Sequence, residues 1–100
     1  MRADQDQGDR IVHWTIVVTG TVQGVFFRAG AREQAQALGL SGEARNMPDG
    51  SVRIEVEGPV DRLERFREWC HHGTPKAVVT GVDVVEGPLQ NYPPGTFRRV

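Results

Sequence analysis

The sequence predicts an α+β domain in which two helices cover one face of a mainly antiparallel sheet. Three observations carry that expectation. Apolar side chains alternate with a period of two at Val12–Val18 and Val52–Val56, and they recur at helical spacing at Phe27–Leu38 and Val60–Cys70. An Asp-Gly turn joins two strand-like stretches lying between the helical ones. The resulting order is β-α-β-β-α-β with a short terminal strand.

In the first strand Val12, Trp14, Ile16 and Val18 point one way, with His13, Thr15 and Thr19 between them, as expected where one face is buried. The strand ends at Gly20. Phe27, Ala31, Ala35 and Leu38 then form a helical stripe among Arg32, Glu33, Gln34 and Gln36, and Gly39 supplies the C-terminal stop. Ala44–Met47 and Ser51–Gly58 read as a hairpin around Met47-Pro48-Asp49-Gly50. In its second arm Arg53, Glu55 and Glu57 alternate with Val52, Ile54 and Val56, which predicts a solvated outer face carrying both glutamates rather than a catalytic carboxylate pair. Pro59 opens the second helix, whose apolar side is Val60, Leu63, Phe66 and Cys70 and whose stop is Gly73. Val78, Val82 and Val84 are expected on one face of the next strand, and a Pro- and Gly-rich crossing from Gly87 to Gly95 leads to a final strand at Thr96–Val100. This is the split βαβ, or ferredoxin-like, arrangement, which hosts many unrelated functions.

One hundred residues allow one domain, expected over residues 10–100, with residues 1–9 (MRADQDQGD) a flexible polar tail. Hydrophobic residues at 38% and charged residues at 25% are ordinary for a globular chain. A formal net charge of -1 gives no global field to attract nucleic acid or an anionic membrane, so recognition of an anion requires a local site. No apolar run approaches the ~20 residues a bilayer requires, and the polar start argues against a secretory signal. Cys70 is the one cysteine, which excludes an intramolecular disulfide and agrees with a cytoplasmic location. The three histidines are scattered, so no zinc-type cluster and no metal or other cofactor is expected. Cys70 continues a core stripe, His71 and His72 suit a helix C-terminus, and Trp14 and Trp69 read as core or core-edge packing.

The stretch from Gly20 to Arg28 is the most suggestive site. A turn between a strand and a helix N-terminus exposes unpaired N–H groups at the positive end of the helix dipole, where an anion fits. Gly20 and Gly24 let the backbone fold closely, and Arg28 can add bidentate hydrogen bonds to a phosphate. By spacing alone this pattern favours an ordinary connection with a surface arginine, although a cation at a helix start is misplaced unless an anion is near. Asn46, by itself, reads most simply as the residue that initiates the hairpin turn.

The pattern Val18-x-Gly20-x-Val22-Gln23-Gly24-Val25-x-Phe27-Arg28 resembles the first signature of the acylphosphatase family. Gly42, Asn46, Gly50, Val52 and Gly58 resemble its second, in order and spacing, and Gly73-Thr74-Pro75-Lys76-Ala77-x-Val79 resembles the family's helix-to-strand passage. The resemblance covers residues 11–99, with Glu43 standing where the family usually places an aromatic residue. It implies a ferredoxin-like hydrolase that converts an acyl phosphate and water to a carboxylate and inorganic phosphate without a metal. Arg28 would bind the phosphate, the backbone N–H groups of Val22, Gln23, Gly24, Val25, Phe26 and Phe27 would encircle it, and Asn46 would position the attacking water. A cytoplasmic monomer acting on a small-molecule acyl phosphate is expected, with no nucleic-acid or membrane partner.

The competing reading is a non-enzymatic ferredoxin-like module that binds a small anion, a protein or RNA. Arg53, Glu55 and Glu57 occupy the face where an RNA binder would want exposed aromatic and basic side chains, which weakens it. A third reading, the acylphosphatase-like segment of a larger maturation enzyme, is disfavoured because nothing follows Val100.

Overall fold

The computed structural model describes residues 10–100, so the expected tail at 1–9 lies outside the described residues. In chain order the elements are β1 (Ile11–Thr21), α1 (Phe27–Ala37), β2 (Ser41–Asn46), β3 (Val52–Pro59), α2 (Val60–His72), β4 (Val78–Gly87) and β5 (Phe97–Arg99). The strands form one sheet in the order β4-β1-β3-β2-β5. All neighbours are antiparallel except β2 and β5, which run parallel. Both helices pack on one face, giving the expected ferredoxin-like α+β architecture. Among the described residues no helix is long and apolar enough to cross a membrane.

The core follows the two periodicities. Trp14, Ile16 and Val18 of β1 and Val52, Ile54 and Val56 of β3 are buried against Phe27, Ala31 and Ala35 of α1 and Leu63, Phe66 and Cys70 of α2. Leu38 caps α1 and is only partly buried, whereas Leu40, just past it, is fully buried. Burial pushes the Cys70 thiol up to about 12, so it is an inert core residue. Trp69 is core-edge, in aromatic contact with Phe27 at 5.1 Å and Phe66 at 6.2 Å.

Two expectations about facing are corrected. Val78 is 59% exposed, because the β1–β4 pairing is bulged: Thr19 pairs with Gly81 but Gly20 with Val79, which leaves Thr80 as an extra residue of β4, and Thr21 then pairs with Val78. The one-residue slip exchanges the faces, so Val79 joins Val82 and Val84 against the core.

The outer face is also not uniformly solvated. His13 is 2% exposed there, with Nε2 2.6 Å from Glu55 Oε1 and Nδ1 2.9 Å from Glu57 Oε1. Each ring nitrogen therefore faces a carboxylate oxygen. Glu57 is itself buried and accepts the backbone N–H groups of Gln90 at 2.8 Å and Tyr92 at 3.1 Å, while the Tyr92 ring stacks on His13. Glu55 also accepts from Thr15 and Arg53, each at 2.8 Å. Burial alone would raise both carboxyls, but these donors outweigh it and hold them below the usual carboxylate range. The sheet order supplies the cause. β4 and β5 lie at opposite edges, so the chain between them must cross the sheet, and it crosses over this cluster. Glu43 lies on the same outer face, half-buried and 3.9 Å from Arg45.

Candidate active site

The backbone after β1 builds one wall of a cleft. Phe26 is the N-cap of α1 at φ 62° and ψ 25°; no side chain caps the helix and no acidic residue lies in its first turn, so the leading amides have no side-chain partner. Gly24 also has positive φ, 76°, and a Cβ there would enter open space rather than clash, so the backbone angle is what calls for glycine. Fully buried Phe27 pins the helix start beside Trp69, a burial worth roughly 2 kcal/mol. Two side-chain anchors fix the turn. Thr74 Oγ1 donates to the Val25 carbonyl at 2.6 Å, and Gln23 Nε2 donates to the carbonyls of Met47 at 2.8 Å and Ser51 at 2.9 Å.

The opposite wall comes from the strand ends. Asn46 is the last residue of β2 and shares the helix-facing side with buried Ala44, two positions earlier. The following turn is closed by Met47 N–H to Ser51 O at 2.9 Å, and Asp49 Oδ1 accepts from both the Ser51 hydroxyl and its N–H. Those two bonds hold the Asp49 carboxyl below its ordinary range. Arg99 on β5 shares its face with buried Phe97 in the same way. Arg28, in the first turn of α1, sends Nη1 to the Val100 carbonyl at 2.8 Å, which answers part of its misfit with the helix dipole.

The cleft between these walls has a volume of about 280 Å³. Of the residues singled out in the sequence, Val22, Gly24, Phe26, Phe27, Arg28 and Asn46 line it. Gln23 and Val25 do not: the Gln23 side chain is spent on the hairpin, and Val25 lines a neighbouring groove. Ala29 and Arg99 line the cleft but went unnoticed; alternation from Phe97 was the available signal for Arg99. No carboxylate lines it, so two guanidinium groups and an uncapped helix start make a local positive site in a chain of net charge -1. Among the described residues no cluster of three or more His, Cys, Asp or Glu side chains is placed to hold a metal ion.

These features define an α/β sandwich with an anion-sized, positively charged cleft where a strand passes into a helix. The acylphosphatase family model matches residues 14–98. An acylphosphatase of Alkalilimnicola ehrlichii is 49% identical over 82 residues, covering 82% of this chain and 90% of the relative. The crystal structure of acylphosphatase from Bacillus subtilis superposes with a TM-score of 0.85 at 36% identity, covering 89% of this chain and 98% of that one. A full-length HypF, in a phosphate- and nucleotide-bound form, superposes with a TM-score of 0.83 at 30% identity over 91% of this chain but only 12% of its own. The chain belongs to the acylphosphatase family. Its class of chemistry is therefore the hydrolysis of small acyl phosphates.

Proposed function

We propose that the reaction runs by metal-independent, in-line displacement in this cleft. Arg28 and the backbone N–H groups of Val22–Phe27 hold the phosphoryl oxygens, and the Asn46 side-chain carbonyl accepts a hydrogen bond from the attacking water. The water oxygen forms the new bond to phosphorus, the bond to the acyl oxygen breaks, and its electron pair leaves on the carboxylate. The conjugate acid of that leaving group has a pKa of about 4, so no general acid is needed, and the water's proton passes to phosphate or solvent. Charge on the equatorial oxygens is met by positive groups already in place, which is the main demand of phosphoryl transfer. The observation that carries this reading is the convergence of Arg28, Asn46 and an uncapped helix start on one cleft that no carboxylate lines. We further propose that the protein acts as a cytoplasmic monomer without a nucleic-acid or membrane partner.

The test is hydrolysis of acetyl phosphate by purified protein in excess chelator. Wild type is expected to turn over, and Arg28→Ala and Asn46→Ala each to lose roughly 100-fold or more in kcat/KM with the fold intact by circular dichroism. Loss of turnover on chelation, or full activity in both variants, overturns the mechanism.

A further inference from the structure

The cleft just described accounts for phosphate and water but leaves the acyl group unplaced. Two grooves adjoin it. One, of about 220 Å³, opens past Ala29 and Arg99 and is walled by Arg32, Glu33 and Gln36. The other, of about 280 Å³, lies across Phe26 and is walled by Val25, Thr74, Pro75 and Lys76. Resting on the in-line reading above, we infer that the acyl group occupies the second groove, with Phe26 as its specificity-determining residue, and that the chain favours acyl phosphates with flat apolar or aromatic acyl groups.

Direction comes first. In-line displacement places the leaving oxygen opposite the attacking water. Asn46 and Arg99 stand on β2 and β5, whereas Thr74–Lys76 lead into β4 at the other edge of the sheet. β4 and β2 are separated by β1 and β3, about 14 Å at ordinary strand spacing, and the Gly20–Arg28 turn leaves β1 between them. Attack from the Asn46 side therefore sends the carboxylate toward Phe26. The polar groove lies on the side from which water arrives.

Chemistry agrees with direction. The Thr74 hydroxyl is spent on the Val25 carbonyl, so the groove offers apolar surface from Val25, Phe26 and Pro75, with the Lys76 ammonium the polar group left over. The Phe26 ring is 81% exposed and sits on a left-handed backbone, φ 62°, that a bulky residue adopts only at a cost. A large ring held out from the chain between cleft and groove is a platform on which a flat acyl group can stack.

The experiment compares kcat/KM for benzoyl phosphate and acetyl phosphate, with thermal unfolding measured in parallel. Phe26→Ala is expected to lower the benzoyl-to-acetyl ratio by about 5- to 10-fold relative to wild type, the size of one aromatic stacking contact, while Phe26→Tyr keeps the wild-type ratio. Pro75→Ser, outside the phosphate cleft, should lower the benzoyl rate and leave the acetyl rate unchanged. Using the ratio relative to wild type cancels the intrinsic reactivity of the two mixed anhydrides and any general loss of activity. An unchanged ratio in Phe26→Ala, or a ratio that moves instead with Arg32→Ala, overturns the inference while leaving the mechanism standing. Absence of turnover with both substrates in wild type overturns the mechanism itself.

Discussion

Gln23 offers a way to separate phosphate binding from water positioning in the proposed mechanism. The groups proposed to hold phosphate all lie on the turn and first helical residues, whereas Asn46 lies on the hairpin, and the Gln23 amide spans the two. Gln23→Ala removes two hydrogen bonds, to Met47 O and Ser51 O. Neither carbonyl is orphaned, because Met47 O still accepts from Gly50 N–H and Ser51 O from Met47 N–H. The cost should therefore sit near the low end for neutral hydrogen bonds, about 1–2 kcal/mol in total. For a domain of this size that lowers the melting temperature by roughly 5–15 °C. Catalysis should respond unevenly. With Arg28 and the cradle amides untouched, KM should change by less than about 3-fold, while loosening of Asn46 by a fraction of an ångström should lower kcat by about 10-fold or more. Steady-state kinetics with acetyl phosphate, beside thermal melts, read both. A variant with raised KM and intact kcat would show that Gln23 serves the phosphate directly, and one with wild-type kinetics and stability would refute the coupling of turn to hairpin.

Three further outcomes follow from the fold. The Glu55 and Glu57 carboxyls are depressed in the folded state, so their stabilisation is fully present above the ordinary carboxylate range of about 4.3 and is lost as pH falls through the lower folded values. The melting temperature should drop steeply below about pH 4, and His13→Gln should lose roughly 3 kcal/mol at neutral pH and show a shallower acid decline; parallel pH profiles would refute the cluster's role. Gly42→Ala should destabilise by about 3 kcal/mol or more in denaturant titration, because φ is 151° and a Cβ would run into the Glu55 backbone carbonyl. Cys70 should resist a thiol reagent in the native protein and react at once in denaturant, being fully buried with its thiol pushed up to about 12.

How much of this was legible beforehand differs by element. Strands and helices whose one face meets the core announce themselves by period, as Val12–Val18 and Phe27–Ala35 do. The outer face is misread from the sequence because alternation of Glu55 and Glu57 with apolar residues looks the same whether the acids meet water or a buried histidine ring. Only the sheet order, which no local pattern encodes, reveals that the chain from β4 to β5 must cross there. Val78 is misplaced by its sequence period because a bulge belongs to the pairing of two strands: Thr80 becomes the extra residue only through the register of β4 against Thr19 and Gly20, which lie far away in sequence. At the cleft, Arg28 and Asn46 stand out through family resemblance rather than spacing, while the alternation that puts Arg99 on the face of Phe97 is a single step in a three-residue strand, too little to single the arginine out.

The crossing segment links the buried cluster on the outer face to Arg99 in the cleft. It is held to the outer face by Glu57 through Gln90 and Tyr92, and five residues after Tyr92 the chain enters β5, pairing Gly42 with Phe97 and Ala44 with Arg99. Phe97 is buried and sets the facing, so Arg99 turns inward beside Asn46 and Val100 O meets Arg28. The His13 cluster thus lies on the far side of the sheet from the cleft yet anchors the stretch of chain that delivers one of its two guanidinium groups. A polar cluster buried at a cost in desolvation is easier to understand when it fixes where the last strand docks, because a small domain has few other contacts with which to hold an edge strand of three residues.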